Sequence, residues 1–181
     1  MQLEYFDAVL FFQLWFPLLD FVNRKHRVLP GRKTIAQRMG TNNRDLKTVA
    51  DYLWSHTDVI DEYLATNMLP DEYAQIVSGW KQRKQGRFIL TRHLDTGSVF
   101  ISEEDSEVYL VKGLFSTWGE MLGRPPVMLD AVLIPFLGSI ISDGLVIAHQ
   151  MDFDREAVEG FRKVYRNAKE NNAIHMSITH R

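Results

Sequence analysis

Apolar positions in this chain change period once, near Gly86, from a recurrence of three to four residues to alternation. Before that point the pattern predicts helices. Residues 3–22 are apolar nearly all round, and Pro17 predicts a kink because it has no amide proton for the helical ladder. Asn23 to Gly31, which includes Pro30-Gly31, reads as a loop. Thr34 can cap a short helix that runs to Met39 and stops at Gly40. A second helix follows from Asn43 to Ser55, with Leu46, Val49, Ala50 and Leu53 at i, i+3, i+4 and i+7. Asp58 to Leu64 reads as helix, and Pro70-Asp71-Glu72 opens another that runs to about Gln82, with proline early and acids in the first turn.

After Gly86 the pattern predicts strands at Arg87–Leu94, Val99–Ser102 and Glu107–Leu114, joined by Asp95-Thr96-Gly97-Ser98 and by Glu103-Glu104-Asp105. A helical turn around Thr117–Leu122 leads to Pro125-Pro126. Val127–Pro135 then reads as a strand, Ile140-Ile141 as a short one, and Leu145–His149 as another. Leu137-Gly138-Ser139 and Ser142-Asp143-Gly144 mark the turns between them. The last helix runs from Phe153 to about Glu170. Phe153, Ala157, Val158, Phe161, Val164, Tyr165 and Ala168 form its apolar face, with Asp152 or Asp154 as the cap. The expected fold class is α+β: a helical lobe over residues 1–85, then a β-rich module over 86–181 built on a small curved antiparallel sheet or partial barrel and closed by a helix. The two parts are expected to fold as one unit.

Composition supports a packed core, with 45% hydrophobic and 24% charged residues. The absence of cysteine removes disulfide, thiolate-metal and thiol-nucleophile chemistry and fits a cytoplasmic setting. Asp7 and Asp20 bracket only 12 residues of the first apolar run, against the roughly 20 that a membrane span needs. Glu4 and Asp7, with no early lysine or arginine, give a secretory leader the wrong charge. A buried helix is therefore expected, not a membrane segment, and its all-round apolar character suggests a homodimer seam at 3–22.

Charge sharpens the reading, because the net value of -2 conceals blocks. Arg24 to Lys47 holds eight basic residues and one acid, whereas Thr48 to Trp80 holds six acids and no base. The two blocks either pair with each other or leave the basic one exposed. Lys81, Arg83, Lys84, Arg87 and Arg92 form a second basic cluster. Residues 33–54 have helix-turn-helix spacing, with Asn43, Arg44, Lys47 and Thr48 facing outward as residue types that contact phosphates and base edges. DNA binding is a reading to test and not the favoured one, since the sequence pI is 6.3.

Two carboxylates invite a catalytic reading. Asp143 lies within the most apolar stretch, although Asp-Gly is also a strong turn signal. Asp130 sits between Leu129 and Ala131, where alternation would place it outward. His149 with Asp152 and Asp154 is the one local cluster that suggests a cation, but the aspartates also suit helix capping. No cofactor fingerprint or metal-ligand spacing is present. The tryptophans at 15, 54, 80 and 118 read as core or as pocket lining.

From Gly79 the order of features resembles a family of uncharacterised bacterial cytoplasmic proteins. The likeness rests on Gly79-Trp80-Lys81, Gly86-Arg87-Phe88, Val108 to Leu114, Pro126-Val127, Leu133-Ile134-Pro135-Phe136, Gly138, Ile140-Ile141, Asp143-Gly144-Leu145 and Tyr165 to Ala168, and extends to Ser177. That family more often carries an aromatic residue where this chain has Ser142. The resemblance implies a bacterial, cytoplasmic accessory protein and assigns no catalytic residues. The expected function is a non-enzymatic interaction or regulatory protein, self-associating, with an unidentified protein partner. The rivals are a DNA-binding regulator and a small hydrolase acting through Asp143 or Asp130.

Overall fold

The computed structural model describes residues 1–31 and 43–178. The chain is α+β and divides into two compact units, Phe6–Lys81 and a second that joins Met1–Tyr5 to the residues from Gln82 onward. The predicted short helix at 34–39 lies outside the described residues.

In the helical unit, α1 (Tyr5–His26) runs through Pro17 and continues one turn beyond the sequence expectation. The extension has a local cause. Asn23 is buried at the helix end, and its Oδ1 accepts the Leu29 amide at 2.8 Å, which closes the following turn. α2 (Asn43–Ser55), α3 (Asp58–Thr66) and α4 (Asp71–Gly79) follow, the last leading into a 3-10 turn at Trp80–Gln82. The core here is aromatic. Trp15 stacks on Trp54 with ring centroids 5.4 Å apart and meets Trp80 edge-on at 5.7 Å, while Phe11 contacts Trp80 at 5.7 Å. Such pairs contribute about 0.5–1.5 kcal/mol each beyond their buried area.

By length and composition α1 is apolar enough to cross a membrane. Within the chain itself, however, its Ala8, Phe11, Leu14, Trp15, Leu18, Leu19 and Val22 are already buried. Phe6, Gln13 and Pro17 are exposed, and Phe12 and Phe16 stack on each other half-buried at 5.3 Å. The basic and acidic blocks pair in part. Lys25 reaches Glu62 and Lys47 reaches Asp51, while Arg32, Lys33 and Arg38 lie outside the described residues.

The second unit is a closed barrel with additions. β1 (Lys84–Leu94), β2 (Gly97–Ser102) and β3 (Val108–Lys112) form the expected antiparallel meander, then α5 (Trp118–Leu122) leads to β4 (Val127–Phe136) and β5 (Ser139–Ser142). β5 is antiparallel to β4 but parallel to β3, and β4 pairs with β1. The ring therefore closes in the order β1-β2-β3-β5-β4 and back to β1. The sheet is mixed where the sequence suggests a wholly antiparallel one, because the tight β4–β5 turn sends β5 along β3 in the same direction. β6 (Ile147–His149) continues the line of β5 on β4, and β7 (Ile174–His175) adds to β3. The Asp143-Gly144 turn is thus a break in one strand line, not a hairpin.

Alternation fills the barrel. Phe88, Leu90, Phe100, Tyr109, Val111, Leu129, Ala131, Leu133 and Ile140 point inward, and Trp118 packs with them from α5. Gly113 starts the approach to α5, where a Cβ would lie 1.9 Å from the Ser116 carbonyl oxygen, so only glycine fits. Thr117 and Glu120 then form a reciprocal capping box. On the outside, Val99, Ile101 and Val108 make an aliphatic strip across β2 and β3. α6 (Arg155–Glu170) covers it with Tyr165, Phe161, Val164 and Ala168. Asp154 caps α6 by accepting the Ala157 amide at 2.8 Å.

The β2–β3 turn is held to β1 by charge. Lys84 binds the Asp105 carboxylate, and the Glu107 amide donates to Asp105 at 3.2 Å. Burial raises the carboxyl, but bonds from Lys84, Ser102 and the Glu107 amide outweigh it and bring Asp105 down to about 2. Its folded value lies below the ordinary carboxylate value of about 3.9, so its contribution is present above that value and lost as pH falls toward 2. Asp105→Asn should therefore lose less stability than wild type between pH 4 and pH 2. Urea midpoints at the two pH values measure this, and identical acid sensitivity would refute it.

Candidate functional site

The site originates in an irregularity of β1. Phe88 and Leu90 point into the barrel, so strict alternation would send Arg92 inward as well. The ladder to β2 prevents this: Leu90 faces Phe100 and Arg92 faces Val99, so Thr91 is an extra residue, a β-bulge. The bulge reverses the facing of the strand's last residues. Leu94 then packs with the α6 cluster, and the Arg92 guanidinium lies over the Tyr165 ring, its Cζ 4.2 Å from the centroid.

Arg92 lines an open cavity of about 250 Å³ together with the end of β1, Pro125 and Pro126, and Val158, Phe161 and Arg162 of α6. Among the described residues its guanidinium has no hydrogen bond and no ion pair, and its Nε is fully buried without a partner. A cation that has lost part of its water and gained no counter-ion is held at a free-energy cost. Arg162 supplies a second positive charge, and among the described residues its ion pair is a 3.2 Å contact from Nη1 to the exposed Glu159. His93 fixes the wall without adding a reactive group. Its Nε2 donates to the Gly123 carbonyl at 2.9 Å, and its Nδ1 accepts the Ser98 hydroxyl at the same distance. The Thr91 hydroxyl is directed to the Val99 carbonyl at 3.4 Å. The cavity is therefore lined by two arginines and an apolar wall.

The residues singled out from the sequence lie elsewhere. On α2, Asn43, Arg44 and Thr48 are exposed, but Lys47 is engaged by Asp51 and the Thr48 hydroxyl donates to the Arg44 carbonyl at 2.9 Å. Asp143 is buried, and its Oδ1 accepts the Leu145 amide at 3.0 Å while the Ser142 hydroxyl accepts the Gly144 amide at 3.0 Å. That is the arrangement of an Asx turn. Asp130 faces outward as alternation requires, yet it has partners the sequence does not reveal. Arg87, directly opposite on β1, reaches it at 3.3 Å, and His149 of β6 reaches it at 2.9 Å. His149 thus binds Asp130 and not Asp152 or Asp154, and among the described residues no group of three or more metal-ligating side chains forms.

Arg92 counted in the sequence only as part of a basic cluster. The signal that could have found it is an arginine where Phe88 and Leu90 set an inward period: a charge on the apolar side of a strand implies a bulge or a partner. No protein family, curated protein or solved structure matches the chain.

Asp143→Ala removes the acceptor of the part-buried Leu145 amide and should lower unfolding stability by about 0.5–1.5 kcal/mol. Chemical denaturation measures the loss; a change within error would show that the Leu145 amide finds another acceptor.

Proposed function

We propose that this chain is a non-enzymatic binding protein, regulatory or adaptor in character, whose barrel unit recognises an anionic group in the Arg92 cavity. The observation that carries the reading is the Arg92 guanidinium, half-buried and without a counter-ion among the described residues, at a cavity lined by a second arginine. A bound anion would relieve the desolvation cost of that cation and receive charge-assisted hydrogen bonds, which are about twice as strong as neutral ones. Binding rather than turnover is favoured because the polar side chains around the cavity other than the arginines, His93 and Thr91, already have partners. The Asp143 and Asp130 carboxylates are likewise engaged, in a turn and in cross-strand ion pairs.

The barrel's topology suggests a different occupant, and its surface argues against it. Five strands in this order with a helix between the third and fourth have the connectivity of an OB-type barrel, a fold that commonly takes oligonucleotides on the face of its second and third strands. Here that face is aliphatic and covered by α6. An aliphatic strip under a helix is not the aromatic and basic surface that single strands stack upon.

Thermal unfolding at constant ionic strength with inorganic phosphate, sulfate and benzoate tests the reading. At least one anion should raise the midpoint of the wild type, since ligand at 100 times its Kd contributes about 2.7 kcal/mol. The rise should vanish in Arg92→Met. If no anion shifts the wild type, or if Arg92→Met responds equally, the reading fails. Titration with duplex DNA over a salt series separates the rival through Asn43, Arg44, Lys47 and Thr48, for which a steep salt dependence abolished by Arg44→Ala is required.

A further inference from the structure

The Arg92 cavity has two features that an unspecified anion does not use. Two arginines line it, and it is flanked by an apolar wall formed by Leu94, Pro125, Pro126, Val158 and Phe161. We propose that its ligand is a small phosphate monoester with an apolar or aromatic carrier, the phosphoryl group being held between Arg92 and Arg162. The proposal rests on the anion-binding reading and specifies its substrate class.

Charge and geometry both discriminate. A carboxylate carries one negative charge and two oxygens, and a single guanidinium fork satisfies it. Placed on Arg92 it would leave Arg162 with nothing to bind but Glu159. A phosphate monoester carries about -1.5 to -2 charges at pH 7 and three terminal oxygens, enough to accept from both arginines. Glu159 is the acid facing Arg162, and its hold is weak. The pair spans three residues on an exposed helix surface, with side chains 59% and 60% accessible, a class that contributes little. A dianion can therefore displace Glu159 from Arg162.

The remaining surroundings set the rest of the ligand. His93 has both ring nitrogens occupied and adds no third donor. The Tyr165 ring lies against Arg92, its centroid 4.2 Å from Cζ, and so helps to fix the guanidinium in place. The volume of about 250 Å³ lies just below the range of about 300–1,000 Å³ for drug-sized ligands, which suits a compact ester and not a polymer. The carbon carrier would lie against the two prolines and Phe161.

The test compares phenyl phosphate with benzoate, two ligands that share a ring and differ in the anion. Binding is followed by calorimetry and by the ¹H–¹⁵N resonance of the Arg92 Nε, on the full chain and on Arg162→Gln. Arg162 is exposed, so this variant keeps its fold, which circular dichroism verifies. Phenyl phosphate should bind the wild type at least roughly tenfold more tightly than benzoate and lose roughly tenfold in Arg162→Gln, with benzoate unchanged, in line with the loss of one charge-assisted contact. If benzoate moves the Arg92 resonance and binds as tightly as phenyl phosphate, or if Arg162→Gln binds phenyl phosphate as wild type does, the phosphate assignment is overturned and the anion site stands. If neither ligand moves that resonance, the anion reading falls with it.

Discussion

β1 must hydrogen-bond along both of its edges, and this requirement organises the second unit. It pairs with β4 from Lys84 to Leu90 and with β2 from Phe88 to Leu94, so that only its middle is paired twice. That stagger is what allows five short strands to close with a tilt and to remove the free edges of the ring. Closure then dictates side-chain sorting. Inward positions fill with aliphatic and aromatic side chains, Trp118 of α5 among them, and any charge on β1 must sit where the strand faces out.

Two arginines on β1 meet that demand differently. Arg87 lies outward by simple alternation and receives Asp130 from the neighbouring strand, with Glu103 at 3.5 Å on its other side. Opposite charges directly across a ladder contribute roughly 0.2–1 kcal/mol, a structural role. Arg92 would have faced inward, and the Thr91 bulge turns it out instead. No acid receives it there among the described residues. The bulge sets Arg92 beside a cavity and over the Tyr165 ring, and bulges recur next to functional sites because they re-aim a side chain.

The aliphatic outer strip of β2 and β3 is a second consequence of closure. A ring this small buries one face of each strand inside, and the other face here is also apolar, so it needs a cover. α6 provides one through the stripe around Tyr165 and in doing so places Phe161 and Arg162 beside the end of β1. The same helix therefore covers the surface on which related barrel topologies bind ligands and completes a different concavity at its margin.

Much of this architecture is local and can be read in the chain. The α+β class, the change of period near Gly86, the helix at Asn43–Ser55, the meander and the amphipathic α6 all follow from spacing within a dozen residues. Three things are not local. Barrel closure joins Lys84 to Leu133 and Val111 to Ile140, pairings that no short window contains. Asp130 finds Arg87 43 residues away, so its partner is invisible to a search of neighbouring positions. Arg92 changes face only because the register with β2 slips by one residue at Thr91, a shift set by the ring as a whole. Sequence alone thus determined which elements form and which of their faces are apolar, since both depend on nearest neighbours along the chain. Only the tertiary structure decided which strand edges meet, and through that register it placed Arg92 in a cavity and not in the core.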